Sequence, residues 1–242
     1  MKKTVTSSAL TLALYALTGL AGAADQTILG RTLIVRNPGS ADRRKVTSNA
    51  KESASSNTIV GDPTVNGGGA ALTVIANGMT PTSQIFNLPQ GVDSSGKSFW
   101  STNSVSGFKY RDRKGEQSAV RSVSLRKTAG GNFMIKVVIR GQNGTLNVVP
   151  PNPGSDGFVT LQITGGDRYC MQYGADGKVI NNGTKLFKVR RPKLEGCPGT
   201  PTTTTTSSTG PITSTTTSST TTTTMYSSPS RAFLDAPIDL LD

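Results

Sequence analysis

Within residues 24–199 no window of a dozen residues carries an apolar stripe at the 3.6-residue spacing of a helix; the local signals are those of short strands and tight turns. Residues 133–140 are rich in β-branched and apolar side chains and are bounded by Gly130-Gly131 and Gly141. Residues 158–163 alternate, with Val159, Leu161 and Ile163 on one face. Residues 169–173 alternate again, placing Tyr169, Met171 and Tyr173 together and Cys170 opposite. Residues 33–35, 70–76, 120–125, 146–149 and 186–189 complete a set of short strands. Asn77-Gly78, Asn143-Gly144 and Asn182-Gly183 supply dipeptides suited to positive-φ hairpin turns. About nine or ten strands at this spacing predict an all-β fold, an antiparallel β-sandwich or barrel-like single domain. The polar segment 39–56 reads equally as a strand pair or a long loop.

The domain is bounded on both sides. Residues 200–224 comprise 25 residues of which 21 are Ser or Thr. A segment with so little to bury cannot offset its ordering entropy, and it is expected to be a disordered linker. The short acidic tail 225–242 is expected to be disordered as well; Pro237 interrupts any helix there. At the other end, Lys2 and Lys3 precede an apolar run over residues 9–20 that closes on Ala21-Gly22-Ala23. Positive n-region, short h-region and small-x-small cleavage site read as a signal peptide over 1–23. The run is too short to span a bilayer comfortably, and no later segment approaches that length. The expected organisation is therefore a leader, a secreted β-domain over 24–199, a Ser/Thr-rich linker and a tail. The expected location is extracellular, at the cell surface or in the periplasm.

Export makes a bond between the two cysteines, Cys170 and Cys197, the default. It would staple the end of the domain three residues before the Ser/Thr tract. The chain has no His. That removes a His-based triad, a His general base and the imidazole ligands a metal site with two cysteines would need, so no cofactor or metal is expected. Residues 25–199 hold 23 Lys and Arg against 11 Asp and Glu. So basic an exported domain is biased towards anionic polymers or polysaccharides; nucleic acid is not the expected partner.

The densest aromatic–basic stretch is Lys109-Tyr110-Arg111-Asp112-Arg113-Lys114, close to Trp100 and Phe108. As a binding site it would set Lys109, Arg111, Arg113 and Lys114 against acidic groups while Trp100 or Tyr110 stacks on a ring. As plain structure it is a strand burying Phe108 and Tyr110, followed by a charged hairpin tip. A second basic run over 185–193 reads as a polar-faced edge strand. The glycine-rich stretch 61–70 lacks the Gly-Lys-Ser/Thr ending of a phosphate loop, and Asp62-Pro63 reads as an Asx-type turn. A two-carboxylate hydrolase would have to draw on Asp62, Asp93, Asp112, Glu116, Asp156, Asp167 and Asp176, most of which adjoin Gly or Pro as turn acids do.

Several motifs follow one another in a fixed order: Gly61-Asp62-Pro63-Thr64 leading into Gly69-Ala70 and the strand to Val74; Phe86-Asn87-Leu88-Pro89 followed by Trp100; Gly107-Phe108-Lys109-Tyr110-Arg111-Asp112; and Arg168-Tyr169-Cys170-Met171-Gln172-Tyr173 with a late Cys197-Pro198. In this order they resemble a family of exported bacterial β-domains, recurring in environmental and deltaproteobacterial proteins next to Thr-rich linkers. The resemblance spans residues 59–198. That family usually carries a further Cys pair near the strands matching 120–140; it is absent here, so only the late bond carries over. The resemblance implies a secreted β-domain and no particular activity. The expected function is a non-enzymatic extracellular or cell-surface module with its basic face against anionic material. A carbohydrate-binding module is the alternative, and a carboxylate-based hydrolase the second alternative.

Overall fold

The computed structural model describes residues 23–103, 107–174, 178–190 and 196–197. The expected leader (apart from Ala23), the Ser/Thr tract, the tail and Asp176 lie outside the described residues. The chain divides into two units, Met1–Pro201 and Thr202–Asp242, and every described residue belongs to the first.

The described residues are all-β apart from two 3-10 turns, Ala41–Arg43 and Gly141–Asn143. The strands are β1 (Asp25–Arg36), β2 (Lys45–Glu52), β3 (Gly69–Gly78), β4 (Thr82–Pro89), β5 (Trp100–Asn103), β6 (Gly107–Arg111), β7 (Val120–Lys127), β8 (Phe133–Arg140), β9 (Gly154–Ile163), β10 (Arg168–Tyr173), β11 (Val179–Asn182) and β12 (Leu186–Arg190). They form one sheet in the order β4-β3-β9-β10-β1-β2-β8-β7-β6-β5, with β12 between β1 and β11 off that path. The sheet curls like a half-barrel, which agrees with the barrel-like form of the expectation. One pairing departs from the antiparallel plan. The first half of β1 runs parallel to β10, from Asp25 opposite Arg168 to Leu29 opposite Gln172. Its second half is antiparallel to both β2 and β12. The change of partner falls at Gly30, where a Cβ would overlap the Gln172 carbonyl oxygen and the Tyr173 ring. Only glycine lets β1 pass that close to β10.

Period-two alternation decides which face is buried. Phe133, Ile135, Val137 and Ile139 of β8 point inward, as do Val159, Leu161 and Ile163 of β9. Side chains from separate parts of the curl meet on this inner face. The rings of Phe133 and Tyr169 lie 5.6 Å apart, and the Tyr173 hydroxyl and Ser48 Oγ share a 2.6 Å hydrogen bond. The Val60 amide donates to the Tyr169 hydroxyl at 2.8 Å, and that hydroxyl donates to the Thr58 carbonyl at 3.2 Å.

Residues 146–149, expected to be a strand, join no ladder. Their partners are side chains: Asn147 N–H donates to Gln84 Oε1 at 2.7 Å, and Val149 N–H and carbonyl both engage Thr82 Oγ1. Leu146 and Val148 nevertheless point into the core. This segment thus runs beside β4, while the Trp100 indole N–H reaches the Leu88 carbonyl of the same strand at 3.0 Å. The polar segment 39–56 resolves into the first 3-10 turn followed by β2. The basic run from Lys185 is not on an edge, because β12 is flanked by β1 and β11. Positive φ appears at Gly131 and Gly165 in the turns after β7 and β9, and at Gly144, but not at Gly78 or Gly183. Asp62 does build the expected turn, its Oδ1 accepting the Thr64 amide at 2.8 Å.

The buried tyrosines give a pH prediction. Burial raises the phenol pKa of Tyr110 and Tyr173 well above the usual 10, and that of Tyr169 to about 12. The fold favours the protonated form, so this contribution to stability is complete below about pH 10 and is lost as pH rises through 12. Urea midpoints should therefore fall across that window, with the 295 nm phenolate absorbance of Tyr110, Tyr169 and Tyr173, read in a Tyr226→Phe background, rising only as the chain unfolds. Full ionisation near pH 10 with the fold intact would contradict this.

Candidate anion-binding face

The strand registers place the basic residues. Lys109 of β6 stands opposite Ser124 of β7, Ser124 opposite Lys136 of β8, Lys136 opposite Asn49 of β2, Asn49 opposite Thr32 of β1, and Thr32 opposite Arg190 of β12. Those side chains form one row on the solvent face of the sheet. The next row runs through Arg111, Ser122, Val138, Thr47, Ile34 and Lys188. A third joins Arg126, Met134 and Lys51, and a fourth joins Arg140, Lys45 and Arg36. Every charged side chain in the four rows is a cation. Neighbouring strands are about 4.8 Å apart and like-facing residues about 6.8 Å apart along a strand, so Lys109 and Lys136 stand roughly 10 Å apart at their Cα atoms.

The crowding has an electrostatic signature. The Lys109 amine is held below its usual value by partial burial and then by Arg111, Arg113 and Arg126. Lys109, Arg126 and Lys136 line a shallow depression floored by Ser122, Ser124, Met134 and Val138. With positive charges gathered and no carboxylate among the rows, the arrangement suits an anionic partner.

The residues singled out in the sequence separate into three groups. Lys109 and Arg111 project from this face. Arg113 and Lys114 lie in the β6–β7 loop, lining with Asp93, Lys97 and Arg111 itself a second depression beside that face. There Lys114 Nζ donates to Ser94 Oγ at 3.0 Å and stands 3.8 Å from the Glu116 carboxylate. Trp100 and Tyr110 face the other way. They are 3 % and 0 % exposed, directly paired across β5 and β6, with ring centroids 5.3 Å apart. The reading in which either ring stacks on a ligand is corrected here: alternation puts Lys109 and Arg111 outside and Tyr110 inside. Cations that the local run did not reveal come from distant segments: Arg126, Lys136, Arg140, Lys45, Lys51 and Lys188. Their signal was the same alternation, with Lys136 and Arg140 on the polar face of β8.

The acids have local tasks. Asp112, 2 % exposed, accepts the amides of Gly115, Glu116, Gln117 and Ser118. Asp167, also buried, accepts the Ala24 amide and the Gln26 side-chain amide. Asp93 closes a turn on Ser95 and Lys97, and Glu116 accepts from Ser94. Cys170 and Cys197 form a disulfide with Cα atoms 5.3 Å apart. The Asp25 carboxylate lies within 4.8 Å of both sulfurs. A disulfide offers no thiolate to a metal, however, and Asp25 accepts two hydrogen bonds from Arg168 at 2.6 and 2.7 Å. Among the described residues no helix is long and apolar enough to cross a membrane. No family model, curated protein or solved structure matches this chain.

Proposed function

We propose that the protein is an exported, non-enzymatic binding module that holds an anionic polymer or acidic polysaccharide on the outer face of β6, β7, β8, β2, β1 and β12. The observation that carries this reading is the set of four side-chain rows in which every charge is positive. A disulfide is compatible with an oxidising compartment, the leader pattern at residues 1–23 supports export, and the resemblance to exported bacterial β-domains agrees with both. Recognition is by charge, with backbone-spaced cations meeting spaced anions. Burial of Trp100 and Tyr110 removes these two rings as stacking platforms for a neutral sugar.

The test is retention on immobilised polygalacturonate across a sodium chloride gradient. Exposed charges are screened beyond about 10 Å at 0.1 M salt, so retention should fall steeply as salt rises. The double variant Lys109→Glu, Lys136→Glu leaves the inward residues untouched and should bind about tenfold more weakly or worse at 0.1 M salt. Retention indifferent to salt, or a double variant that elutes with the parent, overturns the reading.

A further inference from the structure

At the fourth row the face ends in a basic recess. Arg43 and Arg44 from the first 3-10 turn and its cap, Lys45 opening β2, Arg140 ending β8 and Gln142 of the second 3-10 turn line a depression of about 400 Å³, with Asp42 as the one acid among its lining residues. The two turns that frame it are locked together. The Gly141 amide donates to the Arg44 carbonyl at 2.9 Å, and a Cβ on Gly141 would overlap the Ala41 carbonyl oxygen.

The cations of this recess are not equally committed. Arg44 is a structural residue: its Nε donates to Asn37 Oδ1 at 3.2 Å and its Nη1 to the Leu146 carbonyl at 2.9 Å. Asp42 accepts from Ser40 and lies beside Arg43. Arg140 differs. Its Nε is enclosed and has no hydrogen-bond partner among the described residues, a state that costs a charged group more than a neutral one. Arg43, Lys45 and Gln142 line the same depression, and Lys45 is the direct cross-strand partner of Arg140. A planar carboxylate presents two oxygens in one plane, whereas a tetrahedral oxyanion presents three or four in different directions. Donors carried by two turns and two neighbouring strands suit the second shape, and a guanidinium edge binds it through paired N–H groups.

We infer that Arg140, Lys45 and Arg43 form a discrete subsite for one tetrahedral oxyanion, a sulfate ester or phosphate group, at the end of the basic face. This rests on the reading of that face as a polyanion surface and adds what the polymer carries. It makes a sulfated or phosphorylated polymer a better partner than a polyuronate of equal charge.

The experiment is equilibrium dialysis of the intact protein with radiolabelled inorganic sulfate, and separately with inorganic phosphate, at constant ionic strength set by sodium chloride. The expected result is saturable binding of about one ion per chain. Arg140→Gln and Lys45→Gln should each weaken it by about tenfold, the scale of a lost charge-assisted hydrogen bond, while Lys97→Gln, between β4 and β5 and outside the four rows, leaves it unchanged. Lys45→Gln guards against a fold defect in the Arg140 variant, and thermal melts of all three report on folding. Sulfate and phosphate arms that differ tell which ester the subsite prefers. Binding that does not saturate, or is equally weak in Arg140→Gln, Lys45→Gln and the parent, overturns the subsite. The two readings fail separately. Polygalacturonate retention without a saturable sulfate site removes the subsite alone. Saturable sulfate binding without salt-sensitive polymer retention removes the polymer reading and leaves an isolated anion site.

Discussion

Replacing Asp112 by alanine is expected to lower the unfolding free energy by about 2–4 kcal/mol, the range for removing a buried charged acceptor that satisfies several donors. The carboxylate is the hub of the β6–β7 loop. Its Oδ1 takes the Gly115 and Glu116 amides at 2.7 and 2.9 Å, and its Oδ2 takes those of Gln117 and Ser118 at 2.8 and 3.3 Å. Its own carbonyl accepts from Asn143 Nδ2 at 2.9 Å, tying the loop to the turn after β8. Gly115 lies against that turn at φ +74, where any Cβ would overlap the Asn143 carbonyl oxygen. Without the carboxylate, four amides need new partners while the loop is still pinned by that close approach. The Asp112→Asn variant keeps the side chain's shape but turns an NH₂ towards two of the amides, so it should cost nearly as much as Asp112→Ala. Urea titration checks this through a lower midpoint at unchanged slope. A loss below about 0.5 kcal/mol, the range of an ordinary surface change, would show that the loop does not depend on its hub.

Reduction of the disulfide, or Cys197→Ala, is expected to cost about 3–4 kcal/mol. Cys170 and Cys197 are 27 positions apart, and a ring of that size restricts the unfolded chain by about this amount in the loop-entropy treatment. Cys197→Ala is the cleaner variant, because Cys170 is 2 % exposed and trimming it would also disturb packing around β10. Thermal melts of the parent with and without dithiothreitol should reproduce the loss, and dithiothreitol should leave the Cys197→Ala melt unmoved. Equal melting temperatures for oxidised and reduced parent would remove the bond from the account of stability.

Much of the fold was legible because alternation is a local signal. The sequence run 133–140 coincides with β8, and Tyr169, Met171 and Tyr173 are buried as their spacing indicated. What escaped was non-local. The parallel contact of β1 with β10 joins residues more than a hundred positions apart, and no property of either strand alone specifies a parallel partner. Residues 146–149 have the composition and burial of a strand; they miss the ladder because Gln84 and Thr82 side chains take their amides. The basic face shows the same limit. Searching for clustered charge found residues 109–114, where the one aromatic, Tyr110, points inward and half the cations belong to a loop. The rows themselves take one cation from each of several strands, so no single stretch of sequence looks crowded. Reading β8 and β2 for what lies opposite their buried residues would have found Lys136, Arg140, Lys45 and Lys51.

The disulfide also sets a path for mechanical load. Tension applied to the chain beyond Cys197 would, without the bond, pass first to β12 and β11, which hang off the main strand order and could peel away one pair at a time. With the bond in place both strands lie inside the covalent ring. Force crosses from Cys197 to Cys170 and enters β10, a strand clamped by β9 on one side and β1 on the other. Under such a pull the bond, and not the pairing of β12 and β11, carries the load into the sheet.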